Sequence, residues 1–306
     1  MAKKNKTDKE SNAVADRVPV NKTYKMYIGG AFPRTESGRY YSPEVDGVPL
    51  GSICLASRKD LRNSIVAARG AQASWAGRTA YNRSQILYRI AEMLEGRSAQ
   101  FAAELKTQGL SGPNAKREVA SSIDRLIYYA GWCDKYQQIF SSVNPVASSH
   151  FNFSVLEPTG VVFLVASEDS PLLGLVSAIA PIIASGNSVV ALASESKPLS
   201  AITFAEVLHT SDLPGGVVNL LTGNADELIE HAAKHLDLNA IAFDRDNTQQ
   251  LELIARESAA NVKRVKKLCL DWTDAESANP YLIHDYCEVK TTWHPIEKIS
   301  ASGSGY

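Results

Sequence analysis

Glu157 to Asn187, EPTGVVFLVASEDSPLLGLVSAIAPIIASGN, limits what this chain can fold into more than any other stretch. It opens on Val161-Val162-Phe163-Leu164-Val165, an unbroken apolar run with the length and β-branched content of a strand buried on both faces. Ser167-Glu168-Asp169-Ser170 is a polar patch with three candidate cap residues, and Pro171 suits a first helical position. Leu172, Val176, Ile179 and Ile183 recur at helical spacing until Gly186-Asn187 stops the helix. Strand, polar turn and helix in this order open a parallel α/β sheet. In such sheets ligands bind beyond the carboxyl ends of the strands, so Ala166 to Ser170 would line any site.

The alternation continues downstream. Strands are predicted at Val189–Leu192, Val217–Leu221, Ala240–Phe243 and Val265–Leu270, separated by helices at Pro198–Val207, Asp226–Ala233 and Thr248–Ala259. This pattern predicts an α/β fold with a doubly wound parallel sheet of Rossmann type. Upstream, Tyr24–Phe32 reads as a hairpin around Gly29-Gly30. Helices are predicted from an Asp60 cap to near Gly77, from Asn82 with Gln85 as a capping partner, and from Lys116 to Ile139. Phe101 and Leu105 carry the second apolar face on to Gly109, while Trp132 and Tyr136 read as core. Phe151 to Leu156 alternates like a half-buried strand, and Tyr281 to Pro295 reads as an extended arm behind a polar loop at Asp274–Pro280.

Composition removes several function classes. The chain of 306 residues is 44% hydrophobic and 21% charged, which fits a soluble globular protein. With 32 basic and 33 acidic residues it lacks the basic surplus of a nucleic-acid binder. No apolar run reaches the ~20 residues that span a bilayer, so no membrane partner is expected. Cys54, Cys133, Cys269 and Cys287 are far apart and form no CxxC pair; together with an N-terminus that has no apolar signal core, they predict reduced thiols in a cytoplasmic protein. No metal is expected, because the histidines form no HExxH pattern and His231 and His235 have no third ligand nearby in sequence. Residues 1–22 and 297–306 are expected to be a disordered tail and a flexible tail.

The GlyGly hairpin, the helix NRSQILYRIAEMLEGR, the segment YYAGWCDKYQ, the unit EPTGVVFLV…SPLL…IAPIIASGNSVV, DLPGGVVNLLTG and the late EVKTTW occur in one order. In that order they resemble the aldehyde dehydrogenase superfamily, from Tyr24 to about Leu270 and again from about Tyr281. The resemblance implies an NAD-binding-like domain over 23–271, with a β segment of oligomerisation type at about 145–157. It also implies a C-terminal oligomerisation arm over 280–296. The family's catalytic domain is missing from this order, since Leu270 to Asn279 leads almost directly into the arm. In this the chain is similar to the non-catalytic second module of two-module aldehyde dehydrogenases.

The same resemblance assigns the site positions. Asp169 stands where the family has an asparagine that stabilises an oxyanion, and an anion there is electrostatically adverse. Glu168 replaces the preceding tryptophan and Leu192 a lysine set against the adenosine ribose. Glu195 is the one retained position, with a carboxylate able to accept ribose hydroxyls. The two glycines that let the backbone approach the diphosphate become Arg245 and Gln250, and Asp244 and Asp246 are expected to repel that anion. Cys269 replaces the general-base glutamate, Asp271-Trp272 replaces the glycine pair after it, and none of the cysteines lies in a nucleophile-like segment. At the end of the fifth strand, between Leu268 and Leu270, Cys269 is expected to be buried and inert.

No residue is therefore expected to be catalytic. The first expectation is a non-catalytic structural or regulatory subunit whose arm is accepted by a full-length aldehyde dehydrogenase, or which self-associates through that arm. No cofactor is then expected. The alternative is an NAD(P)-dependent aldehyde oxidoreductase or nucleotide-binding module, using NAD or NADP weakly through Glu195 and the cleft of the sheet.

Overall fold

The structure is a computed structural model that describes residues 22–296. The expected tails at 1–22 and 297–306 therefore lie, but for Lys22, outside the described residues. Five short strands, β1 (Thr23–Tyr24), β2 (Tyr40–Tyr41), β3 (Glu44–Val45), β4 (Val48–Pro49) and β5 (Ser52–Cys54), come first. Helices α1 (Arg58–Ala76), α2 (Ala80–Gly96), α3 (Ser98–Thr107), α4 (Gly112–Ala130) and the short α5 (Tyr136–Phe140) follow, then β6 (Ser142–Asn144) and β7 (His150–Pro158). The alternating part is β8 (Val161–Val165), α6 (Leu173–Ala184), β9 (Ser188–Leu192), α7 (Leu199–His209), β10 (Val218–Leu221), α8 (Ala225–Lys234), β11 (Ala240–Phe243), α9 (Thr248–Ser258) and β12 (Arg264–Lys267). It ends with α10 (Tyr281–His284) and β13 (Cys287–Pro295).

The central sheet has the order β10-β9-β8-β11-β12, and every pair in it is parallel. The chain steps outward from β8 through β9 to β10, then crosses back to place β11 on the other flank of β8. The strand order therefore reverses between β8 and β11, where a doubly wound sheet opens a crevice at its carboxyl end. Helices cover both faces, and every residue of β8, β9, β10 and β11 is buried. The continuous apolar runs of the sequence have their cause in this two-sided burial.

Caps show where local sequence was and was not enough. Asp60 is not the cap of α1 but its third residue: Ser57 caps, and the Asp60 carboxylate accepts from the Ser57 N–H at 2.8 Å, completing a capping box. α6 begins at Leu173, and none of Ser167, Asp169 and Ser170 caps it. Glu118, from the middle of α4, accepts from the N–H groups of Leu172 (2.9 Å) and Leu173 (3.1 Å) instead. The helix predicted to run from Lys116 to Ile139 ends at Ala130, with Gly131 as its cap, and a separate turn of helix resumes at Tyr136. At the hairpin, Gly29 and Gly30 both adopt positive φ, and a side chain on Gly30 would strike Gly215 Cα at 2.9 Å. The GlyGly hairpin and the glycine pair of DLPGG therefore fit against each other.

The arm starts differently from expectation. Tyr281–His284 is one helical turn rather than extended chain, and Leu282 and Ile283 are buried by it. β13 then pairs antiparallel with β7 of the same chain from Cys287↔Pro158 to Pro295↔His150, giving a second sheet of order β13-β7-β6. Past Cys287, β13 is exposed but for the half-buried Thr292.

Candidate functional site

Three turns meet at the switch point: Ser167–Asp169 after β8, Asp244–Asn247 after β11 and Cys269–Asp271 after β12. They enclose an open cleft of about 640 Å³. Its floor is crossed by one side chain. Arg245 donates from Nε to the Ala166 carbonyl (3.1 Å) and from Nη2 to the Ala193 carbonyl (3.4 Å), the residues that follow β8 and β9. The same Nη2 lies 2.7 Å from Glu168 Oε1, and the Arg245 side chain is only 11% exposed.

Glu168 completes this bridge. Its carboxylate accepts from the Glu195 N–H (2.9 Å), the Ser194 hydroxyl (2.7 Å), and the Ser196 N–H (3.2 Å) and hydroxyl (2.7 Å). Burial pushes the carboxyl upward, but Arg245 and these donors outweigh it and hold Glu168 below the usual glutamate value. A charged carboxylate with this many donors orders the turn after β9 around itself. Arg245 and Glu168 thus fill each other's hydrogen-bonding capacity across the strand ends.

Asp244 is turned to other work than the sequence suggested. It is 4% exposed, and accepts from the Cys269 N–H at 3.0 Å and from the Trp272 indole N–H at 2.7 Å. Burial raises it to about 6 against the opposing pull of these two donors. Asp244 thereby pins the chain leaving β12 to the turn after β11. Asp246 stays exposed and lies 3.5 Å from Lys267. The strand ends at Lys267, short of the predicted Leu270, and Cys269 takes a left-handed φ of 44°. Its side chain is exposed rather than buried, and donates to the Arg245 carbonyl at 3.1 Å. Partial burial raises this thiol above its ordinary value, which disfavours a thiolate.

Residues 33–302 match the sequence profile of the aldehyde dehydrogenase family. The chain belongs to that family. Among its relatives, the putative aldehyde dehydrogenase DhaS of Bacillus subtilis is 30% identical over 79% of this chain, which covers 50% of that protein. The cytosolic 10-formyltetrahydrofolate dehydrogenase of Xenopus tropicalis is 27% identical over 92% of this chain and 31% of its own length. Among solved structures, the NAD+ complex of an aldehyde dehydrogenase from Bacillus cereus superposes with a TM-score of 0.76 at 26% identity, covering 80% of this chain and 50% of that one. The aldehyde dehydrogenase relatives thus extend to about twice the length this chain spans.

Most of the aldehyde dehydrogenase positions singled out in the sequence line this one cleft, but Glu195, the retained one, does not. Asp169 and Cys269 both line the cleft, Asp169 exposed on the turn after β8 and Cys269 across from it. Glu195 lies apart, on the far side of the Arg245–Glu168 bridge, where its carboxylate accepts from Asn224 at 3.1 Å. Burial raises its carboxyl while Arg245 and Asn224 oppose. Gln250 reaches away to the Asp226 carboxylate at 2.6 Å, tying α9 to α8. The residues that organise the site, Glu168, Trp272 and Asp244, were marked in the sequence only as departures from the family. Asp244 and Trp272 bond across 28 residues of chain, and Glu168 meets Arg245 from farther still, so no local pattern announces them.

The other thiols are further from chemistry. Cys54, Cys133 and Cys287 are buried, and burial pushes Cys133 and Cys287 up to about 12. Among the described residues, no helix is long and apolar enough to cross a membrane.

Proposed function

We propose that this chain is a non-catalytic member of the aldehyde dehydrogenase family, a structural or regulatory subunit that assembles with a full-length aldehyde dehydrogenase. The observation that carries this reading is the Arg245–Glu168 bridge. Arg245 stands where the family's backbone approaches the diphosphate, and its guanidinium is bonded to Ala166, Ala193 and Glu168. A dinucleotide would have to displace that bridge and then meet Asp169 and Asp246. The residues present do not fit NAD or NADP. Covalent oxidation of an aldehyde also needs a thiolate, and burial raises the Cys133, Cys269 and Cys287 thiols away from that form.

The arm supports the assembly half of the reading. Exposed apolar side chains lie on both faces of the β13-β7-β6 sheet, Val143 and Phe151 on one and Val289 and Trp293 on the other, with Ile139 and Tyr281 exposed on α5 and α10. A concentration of this kind marks an interaction surface more often than a free one. Tagged protein purified from its native host is expected to bring down a full-length aldehyde dehydrogenase in stoichiometric amount. Recovery of the chain with no dehydrogenase would remove this reading.

A further inference from the structure

A second cavity opens beside the cleft, between α4 and the start of α6, with a volume of about 220 Å³. That is below the roughly 300 Å³ at which pockets for drug-sized ligands begin, so its occupant must be small. Glu118 lines it from the middle of α4 and is only 9% exposed. Its Oε1 takes both amides at the start of α6, those of Leu172 and Leu173. Its Oε2 has no hydrogen-bond partner among the described residues. Burial raises this carboxyl, because the two amides and the charge of Lys197 do not make up for the lost water. Lys197 itself donates to the Glu168 carbonyl, at 3.2 Å. A buried carboxylate with one oxygen unanswered calls for a donor, and a cationic donor answers it best.

The rest of the lining narrows the choice. Asp169 stands on the wall that this cavity shares with the cleft, exposed and with no ion pair among the described residues. Leu110 and Leu173 supply an apolar part. Arg117 is the one cation of the lining, and it is exposed, where solvent and salt screen it. Two carboxylates beside a short apolar wall suit an ammonium on a methylene stem. They repel carboxylates and phosphates of the same size.

We propose that this cavity binds a small primary aliphatic amine, its ammonium held by Glu118 and Asp169 and its stem packed on Leu110 and Leu173. The amine supplies the Glu118 Oε2 with the donor it lacks, and its stem covers the apolar wall. Such binding needs neither a cofactor nor a second subunit, so it stands or falls apart from the assembly reading.

Titration calorimetry of the purified full chain at low ionic strength, with butylamine, butanol and butyrate as probes, tests the site. Saturable binding of one butylamine per chain is expected, with no heat from butyrate and at most weak binding of butanol. Glu118→Gln keeps an oxygen for the two amides and removes the charge, and is expected to weaken butylamine by about tenfold or more. Asp169→Asn alters an exposed side chain, leaves the fold in place and is expected to weaken butylamine several-fold. If Glu118→Gln unfolds the chain, as urea midpoints would show, Asp169→Asn decides alone. A cavity that holds only water gives no butylamine heat, and overturns the proposal. Butyrate or butanol binding as tightly as butylamine also overturns it, as does butylamine binding that folded variants leave unchanged.

Discussion

At the switch point of the central sheet, charged groups turn inward and answer one another: Arg245 with Glu168, and Asp244 with Trp272 and the Cys269 amide. On the arm sheet, apolar groups turn outward and have no cover: Val143, Phe151, Val289 and Trp293. The difference separates two uses of one scaffold. The parallel sheet here bonds its charged groups to one another at the switch point, and the antiparallel sheet leaves apolar side chains exposed.

Substitutions on the two sides should differ in kind, and the largest effect belongs inside the crevice. Trp272→Ala removes a fully packed indole that rests on Gly174 and bonds Asp244. It is expected to cost about 3–5 kcal/mol in urea unfolding, the range for a large aromatic deleted from a core. Arg245→Ala leaves Glu168 with its charge and without its cation. Because the Glu168 side chain is 33% exposed, the loss should fall below that of a fully buried pair, about 2 kcal/mol.

A smaller effect is read by pH. Burial holds Asp244 at about 6 in the folded chain, above its ordinary 3.8, while Trp272, Cys269 N–H and Arg245 oppose. A carboxyl raised on folding contributes stability that is fully present below its unfolded value and lost as pH rises through its folded value. Between pH 7 and pH 5 this group should therefore add about 1 kcal/mol to stability. Asp244→Asn should flatten that part of the pH profile, measured as urea midpoints. An unchanged slope would place the titration elsewhere.

The smallest effect on the fold should come from the arm. Trp293→Ser alters an exposed side chain and is expected to shift monomer stability by about 0.5 kcal/mol or less. Its cost should appear in the association constant instead. A large loss of fold stability there would mean that Trp293 packs within the chain, and the contrast between the two sheets would fail.

The scaffold was legible because burial on both faces writes long apolar runs: β8 to β11 lie within a residue or two of their predicted spans. The resemblance to the family was legible too, since it rests on many short motifs in order. Other features depend on partners distant in sequence. Glu118, not the local Ser and Asp residues, satisfies the start of α6. Gly131 ends a helix whose apolar stripe runs on past it, and the left-handed turn at Cys269 shortens β12 and exposes a thiol expected inside. In the site, the sequence identified Arg245 and Asp244 as departures from a cofactor turn. It did not reveal the indole N–H of Trp272 that donates to Asp244, because that residue lies in a different turn.

Calorimetric titration of the purified chain with NAD and NADP tests the central claim most directly, with Arg245→Gly, which withdraws the side chain from the strand ends, run beside it. The account predicts no binding heat for the natural chain up to millimolar nucleotide, and at most weak binding once Arg245 is withdrawn. Micromolar binding by the natural chain would contradict it, and would restore the cleft between β8 and β11 as a working cofactor site.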